Sequence, residues 1–375
     1  MAIVRKRVWT TKRGEEKTAW LVDYRANDGK RRFQTFERKK DADAALHKIM
    51  GEVAHGTHTP HSTSITVAEA CALWLERGRR EGLERGTLRN YTDHAERITK
   101  HLGNVKLAKL TEPVVHTFRD QLLDTVSRKT ARTVLTCLKG VLKESKRRGL
   151  VAQNVALGVS VDMPSRHQRK IAIGQDVPSK EEVGRIINTA DGRWRPLLIT
   201  AVFTGMRASE LRGLTWDAVD FDKRVIHVRQ RANFWRELGA PKSHAGQREI
   251  PMSPMVVNAL REWKLACPNG PLNIVFANGL GKIETHSNLV NRGWFTTQIA
   301  AGVVDADGRP KYAFHSLRHF AASWLIEQGF SPKRLQSLLG HSAIAMTFDR
   351  YGHLFPSLED DHAKFAAGEL SIVGG

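Results

Sequence analysis

FHSLRHFAASWLIEQG, from Phe314 to Gly329, and SPKRLQSLLGH, from Ser331 to His341, carry the reading of this chain. Both stretches read as helices. On the first, His315 and Arg318 stand three residues apart and share one face. His319 follows Arg318 directly, points to another face and is read as structural; Trp324 sits in the apolar run and reads as core. The second stretch ends at Leu339-Gly340-His341-Ser342, where the glycine suits a left-handed C-cap. Tyr351 stands ten residues beyond His341, on what reads as a flexible arm.

Upstream, RPLLITAVFTG (195–205) reads as a buried helix that ends at a glycine. It leads into Thr204-Gly205-Met206-Arg207-Ala208-Ser209-Glu210-Leu211, which presents Arg207 with Glu210 one turn further on. DFDKRVIHVRQRAN (220–233) and QREIPMS (247–253) read as strands, with Pro241-Lys242-Ser243 between them. PSKEEVGRIINTA (178–190) opens this part with a helix. Tyr312 reads as a packing residue, and Trp216 and Trp294 as core. His353, close to Tyr351, is left open between a structural and a functional part.

The N-terminal half has a different character. Residues 64–160 read as a compact basic helical domain. Thr66 caps VAEACALWLERGRR, with Glu69 three residues on as a capping box requires. GTLRNYTDHAERITKHL is a second helical run. TEPVVHTFRDQLLD begins a third, with Thr111 as cap and Pro113 early. SRKTARTVLTCLKGVLKESKRRG is a fourth, closed by Gly149. Residues 1–35 read as short strands, the last two flanking the turn signal Asn27-Asp28-Gly29, and a helix is expected from Asp41 to about Val53. Polar linkers cover 54–65 and 164–179. The expected fold is mainly α with small β-sheets (α+β), in three parts: 1–55, 64–160 and a mixed α/β segment 175–375 that includes a C-terminal tail.

Composition narrows the function. The 375 residues are 41% apolar and 26% charged, enough to bury cores, and the net charge is +20. Residues 1–60 carry 14 Lys and Arg against 8 Asp and Glu, residues 61–175 carry 21 against 11, and the remainder 24 against 20. Most of the positive field therefore lies in the first 175 residues. Such an excess calls for an acidic partner, of which nucleic acid is the commonest. Cys71, Cys137 and Cys267 are odd in number and fit no zinc spacing, which suggests a reducing compartment. No apolar run is long enough to span a membrane, and MAIVRKRVWTTKRG lacks the apolar core of a signal peptide. A cytoplasmic protein in a bacterial host cell, with no membrane partner, is expected.

Arg207, Lys242, His315-x-x-Arg318, Gly340-His341 and Tyr351, in that order, resemble the tyrosine recombinase family of the phage-integrase type. Each piece alone is weak; the conjunction carries the likeness. The match is close over 178–355. Residues 64–160 are more loosely similar to the family's core-site-binding domain. Residues 1–55 resemble the arm-site-binding domains of phage integrases in size, charge and strand-strand-strand-helix character.

The chemistry explains the residue types. A phosphodiester is anionic and resists attack, and its pentacovalent transition state concentrates charge on two non-bridging oxygens. Arg207 and Arg318 can fork onto those oxygens, at roughly 2.7–4 kcal/mol per donor. His315 and His341 can add hydrogen bonds, and His315 is expected to help take the tyrosine proton. Tyr351 is the expected nucleophile; a phenol ionises near about 10, so it needs local cations or a base. The resemblance implies that Lys242 protonates the leaving 5′-oxygen from a mobile hairpin. Glu210 reads as an orienting partner for one of the arginines, not as a metal ligand. The expected product is a 3′-phosphotyrosine and a free 5′-hydroxyl, so resealing needs no ATP. The chain shows no GxxxxGK[ST] loop and no evident carboxylate cluster, and neither a cofactor nor a metal is expected.

The resemblance therefore implies a site-specific DNA recombinase that integrates or excises a phage or mobile element. A chromosome-dimer resolvase shares the chemistry but generally lacks an arm-binding segment. A type IB topoisomerase relaxes supercoils without pairing sites. An inert DNA-binding regulator has no need of Tyr351 and Lys242 together. Arg5, Lys6, Arg7, Lys30, Arg31 and Arg32, on or beside the first strands, suit a small sheet entering a major groove. The implied partners are double-stranded attachment sites, three further copies of the chain on DNA, and accessory DNA-bending and directionality factors. The tail from Pro356 to Gly375 is a candidate for packing on a neighbouring protomer, against the alternative of a frayed terminus.

Overall fold

The computed structural model describes residues 2–11, 14–26, 29–56, 58, 64–163 and 171–355, together with Phe365 and Glu369. The expected packing of the tail, the Asn27-Asp28 half of the first turn and much of both linkers lie outside these residues. The chain divides into two compact units, Met1–Ser165 and Arg166–Gly375. All three cysteines are free thiols.

In the first unit, β1 (Ile3–Thr10), β2 (Glu16–Arg25) and β3 (Arg31–Phe36) form an antiparallel meander, followed by α1 (Lys39–Ala54). Side chains alternate between the two faces of a strand. Val22 and Tyr24 therefore meet Ala42 and Ile49, with Val4, Trp20 and Phe36 packed around them. The other face carries Arg5, Arg7 and Arg31. Asp23 lies under two of these, and its carboxylate takes a hydrogen bond from Arg31 Nε at 2.8 Å and an ion pair from Arg5 at 3.5 Å. The hydrogen bond and charge of Arg31 hold that carboxyl below the usual range. The register sets Lys6 opposite Trp20 and Arg32 opposite Tyr24, both on the face that α1 covers. Of the six basic residues expected to suit a sheet entering a groove, five thus divide between two faces, and Lys30 precedes β3. Strand alternation is the reason.

A second, separate core forms from α2 (Val67–Arg80), α3 (Arg85–Leu102), α4 (Glu112–Thr125) and α5 (Arg128–Arg147). The capping box is present: Glu69 N donates to Thr66 Oγ1 at 3.2 Å, and Thr66 N donates to Glu69 Oε2 at 2.7 Å. Such a cap contributes about 1 kcal/mol. Thr111 stands at the start of α4, but its hydroxyl makes no capping bond. Along α5, Ala131, Val134, Leu138, Val141 and Leu142 recur at helical spacing and are buried, while its basic residues face outward.

The second unit begins with α6 (Lys180–Thr189), α7 (Trp194–Thr204) and α8 (Ala208–Arg212). β4 (Val219–Asp220) and β5 (Val225–Val228) follow, then a hairpin of β6 (Arg231–Ala232) and β7 (Leu238–Gly239), then β8 (Arg248–Pro251), which pairs with β5. The chain continues through α9 (Pro254–Ala266) and α10 (His286–Asn288), then a π-helical turn Leu289–Phe295 into α11 (Thr296–Ala300). It closes with α12 (Ser316–Glu327), α13 (Pro332–Leu339) and α14 (Ala345–Tyr351). The apolar α7 lies inside, packed on α9 and α12. Trp294 is fully buried, and Trp216 and Trp324 pack partly exposed against the same core. Tyr312 is buried too, its hydroxyl donating to Glu182 at 2.7 Å. The α+β class matches expectation; α9, α11 and α14 have no counterpart in the sequence reading.

Candidate active site

Gly205 ends α7 at φ 62°, a left-handed conformation that favours glycine. A Cβ there would also stand 2.9 Å from Leu339 and 3.1 Å from Ala321. The turn so made places Arg207 at the start of α8. Glu210 accepts from the Arg207 backbone N–H at 2.9 Å and from its Nη1 at 2.7 Å. Arg248 reaches the same carboxylate from β8 with two nitrogens.

The end of α13 gathers the cations. A helix leaves its last carbonyls without partners and carries negative partial charge at that end. Leu338 O accepts from Arg248 Nε at 2.7 Å, Leu339 O from Arg318 Nη2, and Gly340 O from Arg207 Nη2 at 3.0 Å. Three guanidiniums from three elements therefore converge on consecutive carbonyls, and one carboxylate lies between two of them. Arg318 also donates to Gly205 O at 2.8 Å. Gly340 sits at φ 66°, and a Cβ on it would meet Ala245 O at 2.8 Å. Burial opposes ionisation of Glu210, but the hydrogen bonds and charges of Arg248, then Arg207, hold its carboxyl down to about 2. Burial and the neighbouring Arg207 charge push the Arg318 guanidinium down. Each arginine has five N–H groups, so both keep donors for a ligand.

Tyr351 ends α14 rather than riding on a loose arm, and only 1% of it is exposed. Burial pushes its phenol up to about 12, against the opposing charges of Arg318 and Arg350. Its Oη lies 2.6 Å from Nδ1 of His319. The His341 ring lies parallel to the Tyr351 ring, with centroids 6.5 Å apart, and its Nδ1 is engaged by Thr347 Oγ1 at 3.0 Å. The His315 ring meets the His319 ring edge-on at 4.9 Å. All three imidazoles are depressed: His319 to about 3 by burial, then by the adjoining His315 and by Arg350 and Arg318; His341 to about 4 by burial and nearby arginines; and His315 by burial, Arg318 and Arg207.

Arg207, His315, Arg318, His341 and Tyr351 line one cavity of about 370 Å³. Lys242 is not brought to it. That residue is exposed, on the loop between β7 and β8. His353 is held by Ile171 O at 3.2 Å and does not line the cavity. Glu210 serves two arginines where one was expected. Among the described residues, no group of three His, Cys, Asp or Glu side chains could hold a metal ion.

Sequence alone gives no part in the chemistry to His319, Arg248 or Arg350, the last of which also lines the cavity. His319 was placed on a face away from the site, yet it stands four residues after His315, and that spacing puts the two rings side by side. The phenol oxygen is consequently met by His319, not by His315. Arg248 lay in a stretch noted as a strand. Two positions before Ile250, it shares that residue's inward face of β8, and this spacing is the available signal.

The α+β fold thus brings Arg207, the buried Arg318 and a buried tyrosine together beside depressed histidines. The comparisons with known proteins agree. Residues 178–357 match the phage integrase family. A tyrosine recombinase XerC-like protein of Caldanaerobacter subterraneus is 26% identical over 85% of this chain and 86% of its own length. An integrase of Streptomyces ambofaciens is 26% identical over 77% and 76%. In fold, the chain is similar to the Tn1549 transposon integrase in complex with a circular intermediate DNA, with TM-score 0.66 and 21% identity over 82% of this chain and 100% of that one. It is also similar to a lambda integrase dimer bound to a core site, with TM-score 0.62 and 18% identity over 94% and 97%. The chain is a site-specific DNA recombinase of the tyrosine class. Its residues 178–357 carry a phage integrase family domain, and its fold is similar to that of lambda integrase. Among the described residues, no helix is long and apolar enough to cross a membrane.

Proposed function

We propose that this recombinase integrates and excises a phage or other mobile DNA element through a 3′-phosphotyrosine intermediate, with Tyr351 as nucleophile. One observation carries the reading: Tyr351 shares a single cavity with both expected arginines, Arg207 and Arg318, and both expected histidines, His315 and His341. Arg207 and Arg318 hold the non-bridging oxygens, where charge develops. His315 and His341 add hydrogen bonds to the phosphate. Lys242 protonates the leaving 5′-oxygen, and its place on an exposed loop requires that loop to approach bound DNA. Glu210 orients Arg207.

Residues 64–160 bind the crossover site, residues 1–55 bind separate arm sites, and 175–375 carry the chemistry. The basic face of the first sheet, with Arg5, Arg7 and Arg31, supports the arm-site assignment; Lys6 and Arg32 stand on the opposite face, and Lys30 immediately precedes β3. Four protomers act together on paired sites; a lambda integrase tetramer bound to a Holliday junction shares the fold, with TM-score 0.59. Accessory DNA-bending and directionality factors complete the assembly in the cytoplasm.

The test is covalent capture. Wild type incubated with a nicked suicide site forms a protease-sensitive DNA adduct, whereas Tyr351→Phe binds the same DNA and forms none. An adduct with Tyr351→Phe would sink the assignment and move the search to Tyr312.

A further inference from the structure

The phenol oxygen of Tyr351 lies 2.6 Å from Nδ1 of His319, within hydrogen-bond distance. Only 1% of Tyr351 is exposed, and His319 stands as the direct acceptor for its proton. His319 lines the cavity beside it, and His315, at the start of the same helix, lines the cavity with its ring edge-on to that of His319. His341 has its Nδ1 committed to Thr347.

We propose that His319 is the base of strand cleavage, taking the Tyr351 proton on Nδ1 as the phenol oxygen attacks phosphorus and returning it on resealing. The assignment rests on Tyr351 being the nucleophile. In the forward step the Tyr351 O–H bond breaks and its proton moves to Nδ1. The Oη–P bond forms, and the P–O5′ bond breaks. The 5′-oxygen takes its proton from a separate donor, for which Lys242 is proposed. In resealing the 5′-hydroxyl returns its proton to that donor as the O5′–P bond forms, the Oη–P bond breaks, and Nδ1 gives its proton back to the phenol oxygen. At rest, His319 carries its single N–H on Nε2.

The charges around this pair make transfer depend on DNA. His319 faces His315 and Arg318 on α12, Tyr351 and Arg350 on α14, and His341 after α13; Arg207 and Asp349 line the same cavity. Cations outnumber the one carboxylate, so an imidazolium is disfavoured and the proton stays on the phenol. An incoming phosphodiester is an anion placed among Arg207, Arg318 and Arg350. It offsets their field at His319 and favours the imidazolium. The nucleophile is thereby held inert until its target is seated.

Single-turnover cleavage of a suicide site decides this, with His319→Gln and His319→Ala measured against wild type. Glutamine keeps a hydrogen-bonding group near the phenol but cannot take a proton at neutral pH. Both variants are expected to cleave at least about a hundredfold more slowly while binding DNA within about threefold of wild type. Added imidazole restores His319→Ala, and among substituted imidazoles of similar size the restored rate rises with basicity. His319→Gln cleaving within about threefold of wild type overturns the proposal and leaves His319 a positioning residue. Rescue that is absent, or indifferent to basicity, overturns it as well. If His319→Ala fails to fold, His319→Gln alone decides. No adduct with wild type would sink the Tyr351 assignment itself, whereas normal adducts with both wild type and His319→Gln sink only the base.

Discussion

Arg248 grips the Glu210 carboxylate with both terminal nitrogens, Nη2 on Oε2 at 2.9 Å and Nη1 on Oε1 at 3.2 Å. Their side chains are 5% and 2% exposed, so the pair is made almost out of water. Glu210 turns its remaining capacity to Arg207, and Arg248 turns its Nε to the end of α13. The pair thus ties the Arg207 turn to the helix end that also holds Arg318.

Breaking this pair from one side leaves a buried charge unmatched. Arg248→Leu and Glu210→Gln are each expected to destabilise the protein by about 3–5 kcal/mol. The double variant should lose clearly less than the sum, because each single change already removes the interaction. Urea unfolding of the four proteins checks this, and strictly additive losses would refute the coupling.

Arg207→Ala and Arg318→Ala are each expected to slow cleavage by at least about a hundredfold. They should differ in stability. Arg207 is 36% exposed in its side chain, whereas Arg318 is buried and satisfies two carbonyls, Gly205 O and Leu339 O. Arg318→Ala should therefore lower the urea midpoint further than Arg207→Ala. Equal midpoints would contradict the packing described for Arg318.

Lys242 is open to a sharper chemical test because it stands away from the cavity at rest. Its replacement by alanine should slow cleavage of an ordinary site. The defect should shrink when the bridging 5′-oxygen is sulfur, which leaves without a proton. The same defect on both substrates rules out proton donation by Lys242.

The histidine cluster sets a pH dependence with a definite sign. His319, His341 and His315 have folded-state values below the unfolded value near about 6.5. Between those values the unfolded chain binds more protons than the native one. The contribution to stability is therefore full above pH of about 6.5 and is lost as pH falls toward the depressed values. Melting of the free protein should drop on moving from pH 7 to pH 5, and His319→Gln should flatten that drop. A drop unchanged in the variant would mean that His319 is not among the groups responsible.

Removing residues 1–55 should leave residues 64–375 able to bind and cleave an isolated crossover site, since every proposed reactive group remains. Recombination of a full attachment site should be crippled, and protection of flanking DNA lost. Full-length binding should weaken steeply between low and physiological salt, as phosphate contacts release counterions. Footprinting decides it, and an unchanged footprint would make the N-terminal sheet something other than a DNA-binding element.

Local pattern alone determined much of this protein. Helical runs, the Thr66 capping box, the C-cap glycines Gly205 and Gly340, and the order of Arg207, His315, Arg318, His341 and Tyr351 are properties of neighbouring residues, and neighbours are what a sequence displays. The division of the basic residues of β1 and β3 between two faces follows from period-2 alternation once the register is known, and register is set between strands. The 2.6 Å approach of His319 to Tyr351 joins residues 32 positions apart, and that of Arg248 to Glu210 joins residues 38 apart. α14 carries no capping bond, and its place is decided by the burial of Tyr351 and Thr347. Three arginines meeting at one helix end could not be read along the chain. Such a cluster is stable only where tertiary packing brings the carbonyls of α13 and the carboxylate of Glu210 to offset its repulsion.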